Sequence, residues 1–461
     1  MVSGISPRLL LVAFTPFPAP GGLATRLAQR IVALTRAGFG LDLLTRGAPQ
    51  LPHMSTLGSA RIFRVPSPGL RDSSGSGRPR ESASGGGSTD HAAAFERAVR
   101  RQLQANEYDA VHAFDTEAAE AILNHRHQAP LIYDTGSDPT GRGPGPLEES
   151  TRRHQLLLGS ASAVFCRSRR SADQAIAAGV RADRVHVLPP SVELDLFSPS
   201  AAVSSESRSL LRVALVKSTL RSADVAFLEA VLRQIPHGCV TIRVRASVPE
   251  TERRRIAADP RLQGCLIFQE PVLYDDLPPV YRECQIGLVP AAEASRPVHL
   301  QPAAEMMACG LASILPDVPE VREVVRPAED AILVEPGSAP ALVKALETLW
   351  LDGALRVRLG LAARDCAVRQ FDESTVSSAL VRVYRSVFAR VKLPSGEEHT
   401  PAPGEPTQDG LPNVQALMHH ALSEPPTATA ERARRLMAAP SEEVTLPEGR
   451  RPVSVPPPDR S

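Results

Sequence analysis

Short apolar runs alternate with amphipathic helical patterns along most of this chain, and no other feature constrains the fold as tightly. RLLLVAF (8–14) is followed by a turn, TPFPAPGG, and then by LATRLAQRIVALTRAG, whose apolar residues recur three and four apart until Gly38 stops the helix. GLDLLT (40–45), RIFRVP (61–66), DAVHAF (109–114), PLIYD (130–134), SAVFCRS (162–168) and RVHVLP (184–189) continue the series. Continuous apolar strands separated by helices belong to a parallel sheet covered on both faces, so a doubly wound α/β domain is expected over residues 1–200. RDSSGSGRPRESASGGGSTDHA (71–92) interrupts it and reads as a flexible Gly/Ser insertion.

SPSAAVSSESRS (198–209) reads as a linker, after which the alternation restarts. LRVALV (211–216), VTIRVRA (240–246), CLIFQE (265–270), QIGLVP (285–290), LASILP (311–316) and AILVEP (331–336) predict a second doubly wound, Rossmann-like domain over 210–372. A helix over 373–392 closes the body, and the Pro-, Ser-, Thr- and Glu-rich residues 393–461 read as a disordered tail. Ligands of open α/β sheets bind beyond the carboxyl ends of the strands, so two such domains in tandem predict a site in the cleft between them.

Composition narrows the function classes. Aromatic residues are only 4% of the 461, and the formal net charge is +1, so neither base-stacking platforms nor a basic field for nucleic acid is expected. The six cysteines are scattered singly without a C-x-x-C pair, which leaves a metal or redox motif unsupported. No run approaches the roughly 18 apolar residues of a membrane span, and MVSGISPRLLLVAF lacks a signal-peptide pattern. A cytoplasmic protein is expected. Arg26, Arg30 and Arg36 on the first helix suit either peripheral contact with an anionic membrane or a solvated helix face.

Three stretches of the second domain, DDLPPVYRECQIGLVPA, PAAEMMACGLASILPDVPEVREVV and AILVEPGSAPALVKALETLW, closely resemble the C-terminal domain of family 4 glycosyltransferases. The first domain agrees through Gly21-Gly22, LTRAGFGLDLLTRG, YDAVHAF and GVRADRVHVLPPSVELDLF. The resemblance spans about residues 7 to 391 and implies the GT-B arrangement of two Rossmann-like domains. It also implies retaining transfer of a sugar from a nucleotide sugar to a glycan or lipid-linked acceptor, with no metal or other cofactor. Such a reaction builds negative charge on the departing diphosphate, which cations and backbone N–H groups at a helix N-terminus must meet.

Residue by residue the match is uneven. Glu305 stands where the family's second glutamate grips the nucleotide ribose; an exposed acid favoured by the dipole of its helix is the alternative. Pro302 suits the first turn of that helix and Gly310 its end. The family's first glutamate corresponds to Pro297, and its loop glycines are replaced by Val298 and Leu300. The phosphate-gripping arginine and lysine map to Lys217 and Ser222, with Arg221 adjacent, so a Lys217–Arg221 pair or two solvent-facing charges are the readings. A common histidine after PLIYD is replaced by Gly136, while His112 matches another of the family and is either a ligand or structural. Gly21 and Gly22 keep the turn that lets backbone approach a phosphate or acceptor.

A divergent glycosyltransferase using Glu305, Lys217 and Arg221 is therefore expected. The alternative is a non-catalytic GT-B protein that binds a nucleotide, a glycan or a partner enzyme. A dinucleotide-dependent oxidoreductase is disfavoured, because no G-x-G-x-x-G follows the first strand.

Overall fold

The computed structural model describes residues 6–48, 51–66, 87–135, 147–199, 210–293 and 298–392. The N-terminal sheet comprises β1 (Arg8–Pro16), β2 (Gly40–Arg46), β3 (Met54–Leu57), β4 (Ala60–Val65), β5 (Ala110–Ala113), β6 (Leu131–Asp134), β7 (Ala163–Cys166) and β8 (Val185–Val187). Its order is β3-β4-β2-β1-β5-β6-β7-β8. Every pairing is parallel except β3 with β4, an antiparallel edge absent from the sequence reading. The C-terminal sheet, β9 (Leu211–Thr219), β10 (Val240–Ser247), β11 (Leu266–Gln269), β12 (Ile286–Leu288), β13 (Ala312–Pro316) and β14 (Ile332–Val334), runs β11-β10-β9-β12-β13-β14 and is parallel throughout.

Helices α1 (Gly22–Arg36), α2 (Gly87–Ala105), α3 (Thr116–Leu123), α4 (Leu147–Ser160) and α5 (Arg169–Ala177) belong to the first half. Helices α6 (Ser222–Leu232), α7 (Glu250–Ala257), α8 (Leu277–Arg282), α9 (Leu300–Ala308), α10 (Pro319–Arg322), α11 (Ala339–Leu351) and α12 (Gly353–Gln370) belong to the second. Residues 87–92, taken from the sequence as the end of a flexible insertion, are the start of α2, with Asp90 favoured by the dipole in its first turn. The remainder of that insertion, the linker from residue 200, Gly136, Pro297 and the tail from residue 393 lie outside the described residues.

The last helix, α13 (Glu373–Lys392), returns to the first half and packs on α1. Phe39 meets both Tyr384 and Phe388 there, at ring distances of 6.2 and 5.6 Å. The two chain crossings meet: Val192 N–H donates to Phe371 O at 2.7 Å, and Glu373 N–H donates to Val192 O at 3.2 Å. One apolar cluster runs from Leu27, Ile31 and Leu34 on α1 to Met306 and Met307 on α9 and Leu380 on α13, so the two halves share buried surface.

Helix α9 is buried on nearly every side, enclosed by protein. Gly287 on β12 makes room for it, since a Cβ there would stand 2.8 Å from Met306 Cβ. Gly360 on α12 touches the turn that follows α9, where Gly310 adopts φ 74°, a conformation that favours glycine. This enclosure fixes the position of Glu305.

Candidate active site

In both sheets the strand order reverses at the first strand: β1 lies between β2 and β5, and β9 between β10 and β12. Crevices beyond the carboxyl ends of such strands are where α/β folds take ligands. A cavity of about 560 Å³ opens there between the halves. Gly21, Gly22, Arg26 and Arg167 line it from one side; Lys217, Ser218, Arg245, His299, Gln301 and Glu305 line it from the other.

Glu305 is buried, at 2% exposure, so the exposed-acid alternative does not hold. Its Oε2 accepts from Tyr281 Oη–H at 2.7 Å and its Oε1 from Gln301 Nε2–H at 3.0 Å. Burial pushes its carboxyl up to about 7, against the pull of those two hydrogen bonds. Gln301 also donates to Ser191 O at 3.0 Å, the same oxygen that accepts from Gln29 on α1 at 2.8 Å. The acid is thereby tied through the crossing segment to the first half.

Lys217 reaches the cavity from the end of β9, with its Nζ 3.0 Å from Asp224 Oδ2. Arg221 is anchored by the same carboxylate, through its backbone N–H at 3.2 Å and its Nε at 3.8 Å, but it does not line the cavity. The expected pair is thus one cavity-lining cation and one neighbour beside a shared acid. Ser222 begins α6 and carries no charge to offer a phosphate.

Gly21 adopts φ 117° and caps α1, whose first N–H groups have no intrahelical partner, as in any helix. A Cβ on Gly21 would stand 3.3 Å from Ser218 Cβ, so the glycine turn lies directly against the second half. One turn into α1, Arg26 pairs with Asp134 at 2.8 Å, and Arg167 reaches the same carboxylate at 3.4 Å. These cations hold Asp134 well below the usual carboxylate range despite its burial. Arg30 is buried beside them, 3% exposed. Membrane contact through this helix face is therefore corrected for Arg26 and Arg30: both side chains turn into the protein, and only Arg36 is exposed.

His112 does not line the cavity. It is fully buried in β5, stacks on Phe114 at 4.1 Å and hydrogen-bonds Tyr384 of α13 through Nδ1. Burial pushes it down to about 3, so it is a neutral core residue, and the ligand reading gives way to the structural one. His299, between the two residues that replace the family's glycines, opens onto the cavity and was not singled out by the sequence. Crowding by protein atoms, followed by the fields of Arg26, Lys217 and Arg167, pushes it down to about 4. Among the described residues no group of His, Cys, Asp and Glu is placed to hold a metal ion, and no helix is long and apolar enough to cross a membrane.

Comparison with known proteins agrees with this geometry. The model of the glycosyl transferase 4-like domain matches residues 21–191, and that of glycosyl transferases group 1 matches residues 221–352. A D-inositol 3-phosphate glycosyltransferase of Xylanimonas cellulosilytica is 25% identical over 419 residues, covering 83% of this chain and 97% of the relative. A phosphatidyl-myo-inositol mannosyltransferase of Mycobacterium leprae is 39% identical over 83 residues, 18% of this chain and 22% of the relative. Among solved structures, sucrose-phosphate synthase from Thermosynechococcus elongatus superposes with a TM-score of 0.69 at 21% identity, covering 83% of this chain and all of that one. Anabaena HepE in complex with UDP and glucose gives 0.62 at 17% identity, with 82% and 99% covered. The chain belongs to the family 4 glycosyltransferases, enzymes of GT-B fold that draw on a nucleotide-sugar donor.

Proposed function

We propose that the chain transfers a hexose from a nucleotide sugar to a hydroxyl of a polyol, glycan or lipid-linked acceptor, with retention at the anomeric carbon and without a metal. The convergence of Glu305, Lys217 and the N-terminus of α1 on one cavity carries this reading. Glu305 accepts hydrogen bonds from the ribose hydroxyls. Lys217 and the N–H groups at Gly21 and Gly22 receive the diphosphate, where the negative charge develops as the sugar departs. The side chains facing that position are cationic, which suits stabilisation by the protein itself. The relatives' names, with inositol phosphate and phosphatidyl-myo-inositol in them, support a polyol as the acceptor class.

Retention calls for front-face delivery of the acceptor hydroxyl, with the leaving diphosphate oxygen as the nearest base. No carboxylate at residue 297 is needed for that proton transfer, and its absence bears on which sugar fits. Thermal unfolding with saturating UDP, GDP and ADP tests the donor site. One nucleotide at 100 times its dissociation constant adds about 2.7 kcal/mol, and Glu305→Ala removes the gain. A melting temperature unmoved by all three contradicts the reading.

A further inference from the structure

We propose that the donor diphosphate is gripped from both halves of the molecule, with Arg26 and Arg167 of the first half supplying the charge that Ser222 lacks in the second. The inference rests on the nucleotide-sugar reading of the cavity and adds residues to it.

On the β9 side, the second position of the phosphate pair is Ser222, which is uncharged. Lys217 remains, partly offset by Asp224 at 3.0 Å. On the opposite wall the balance is reversed. Arg26 and Arg167 both pair with Asp134, at 2.8 and 3.4 Å, so two guanidinium groups share one carboxylate. Their side chains are only 14% and 16% exposed, yet both line the cavity. Excess positive charge held largely out of water is costly unless an anion completes it. A guanidinium that keeps one arm on Asp134 still has N–H donors for phosphate oxygens.

The two walls meet at the right place. Gly21, at the head of the helix that carries Arg26, lies against Ser218, the neighbour of Lys217, and a Cβ on Gly22 would stand 3.7 Å from Gln301 Cβ. His299, Arg26, Lys217 and Arg167 all line this one cavity. A diphosphate there would touch both halves at once. A nucleoside monophosphate, with one phosphate fewer, leaves part of this charge unmet.

Calorimetric titration of the full chain with UDP, GDP and ADP, and with the matching monophosphates, tests this. The expected wild-type preference is for the diphosphate. Arg26→Gln and Arg167→Gln each reduce that preference at least tenfold while changing monophosphate affinity much less. Should either variant fail to fold because Asp134 loses its partner, Asp134→Asn combined with Arg167→Gln removes both charges together and carries the same expectation. If Lys217→Gln removes the preference while the arginine variants keep it, the two-sided grip is overturned and the donor site stands. A wild-type chain that binds no nucleotide overturns both.

Discussion

Glu305 concentrates the site's chemistry in one buried carboxyl. Its folded-state value of about 7 lies above the ordinary glutamate value of 4.5. Between those values the unfolded chain has released the proton while the folded chain keeps it, so this group's contribution to stability is present below pH 4.5 and lost as pH rises towards 7. Glu305→Gln removes that loss, a difference on the order of 3 kcal/mol across the window, read from urea unfolding of both proteins at pH 4.5 and 7.5. The ionised carboxylate is the stronger acceptor for ribose hydroxyls, so wild-type nucleotide affinity rises as pH passes 7. Ionisation of the nucleotide's own phosphate acts on both proteins alike, and the variant lacks the additional rise. Identical pH profiles for the two proteins contradict the ribose role.

Helix α9 carries Glu305, and the elements around it determine where the acid stands. Gly360 of α12 packs on the backbone oxygen of Gly310, so Gly360→Ala forces helix α12 away from the turn after α9. A loss of about 1–3 kcal/mol is expected, with a lower melting temperature and weaker nucleotide binding. The strands of both sheets were legible as apolar runs because a strand buried on both faces has nothing polar to interleave. β3 was not legible: MSTL alternates over four residues and gains its place only by pairing with β4 at the sheet edge. Glu305 could be found because PAAEMMACG resembles the family's motif around its second glutamate. Arg26 and Arg167 could not, since their meeting point, Asp134, lies 108 and 33 residues away in sequence. For the same reason His112 looked available, because Tyr384, 272 residues on, cannot be anticipated from its strand.

At the scale of the molecule, the halves are joined by the paired crossings at Val192 and Glu373 and by a polar latch at the cleft rim. Glu323, just past α10, accepts from the N–H groups of Arg169 and Arg170 at 2.6 and 2.9 Å, and Arg170 pairs with Glu320 at 3.0 Å. A carboxylate from one half thus caps helix α5 of the other, where the dipole favours it. Glu323→Ala is expected to open the cleft, raising the radius of gyration measured by X-ray scattering without nucleotide, and saturating nucleotide restores the compact value. The latch is exposed to solvent, so salt weakens it. An unchanged radius would mean that the shared apolar cluster alone holds the cleft closed.

Release of nucleoside diphosphate from UDP-, GDP- and ADP-glucose and from the corresponding mannose donors, offered with inositol phosphate and with extracted glycolipids as acceptors, decides whether the altered pocket still performs transfer. One donor is expected to be consumed with formation of a glycosylated product, and Lys217→Ala is expected to lower that rate at least a hundredfold. A chain that binds a nucleotide tightly yet consumes none of these donors with any acceptor would contradict transfer and leave a nucleotide-binding protein on a glycosyltransferase fold.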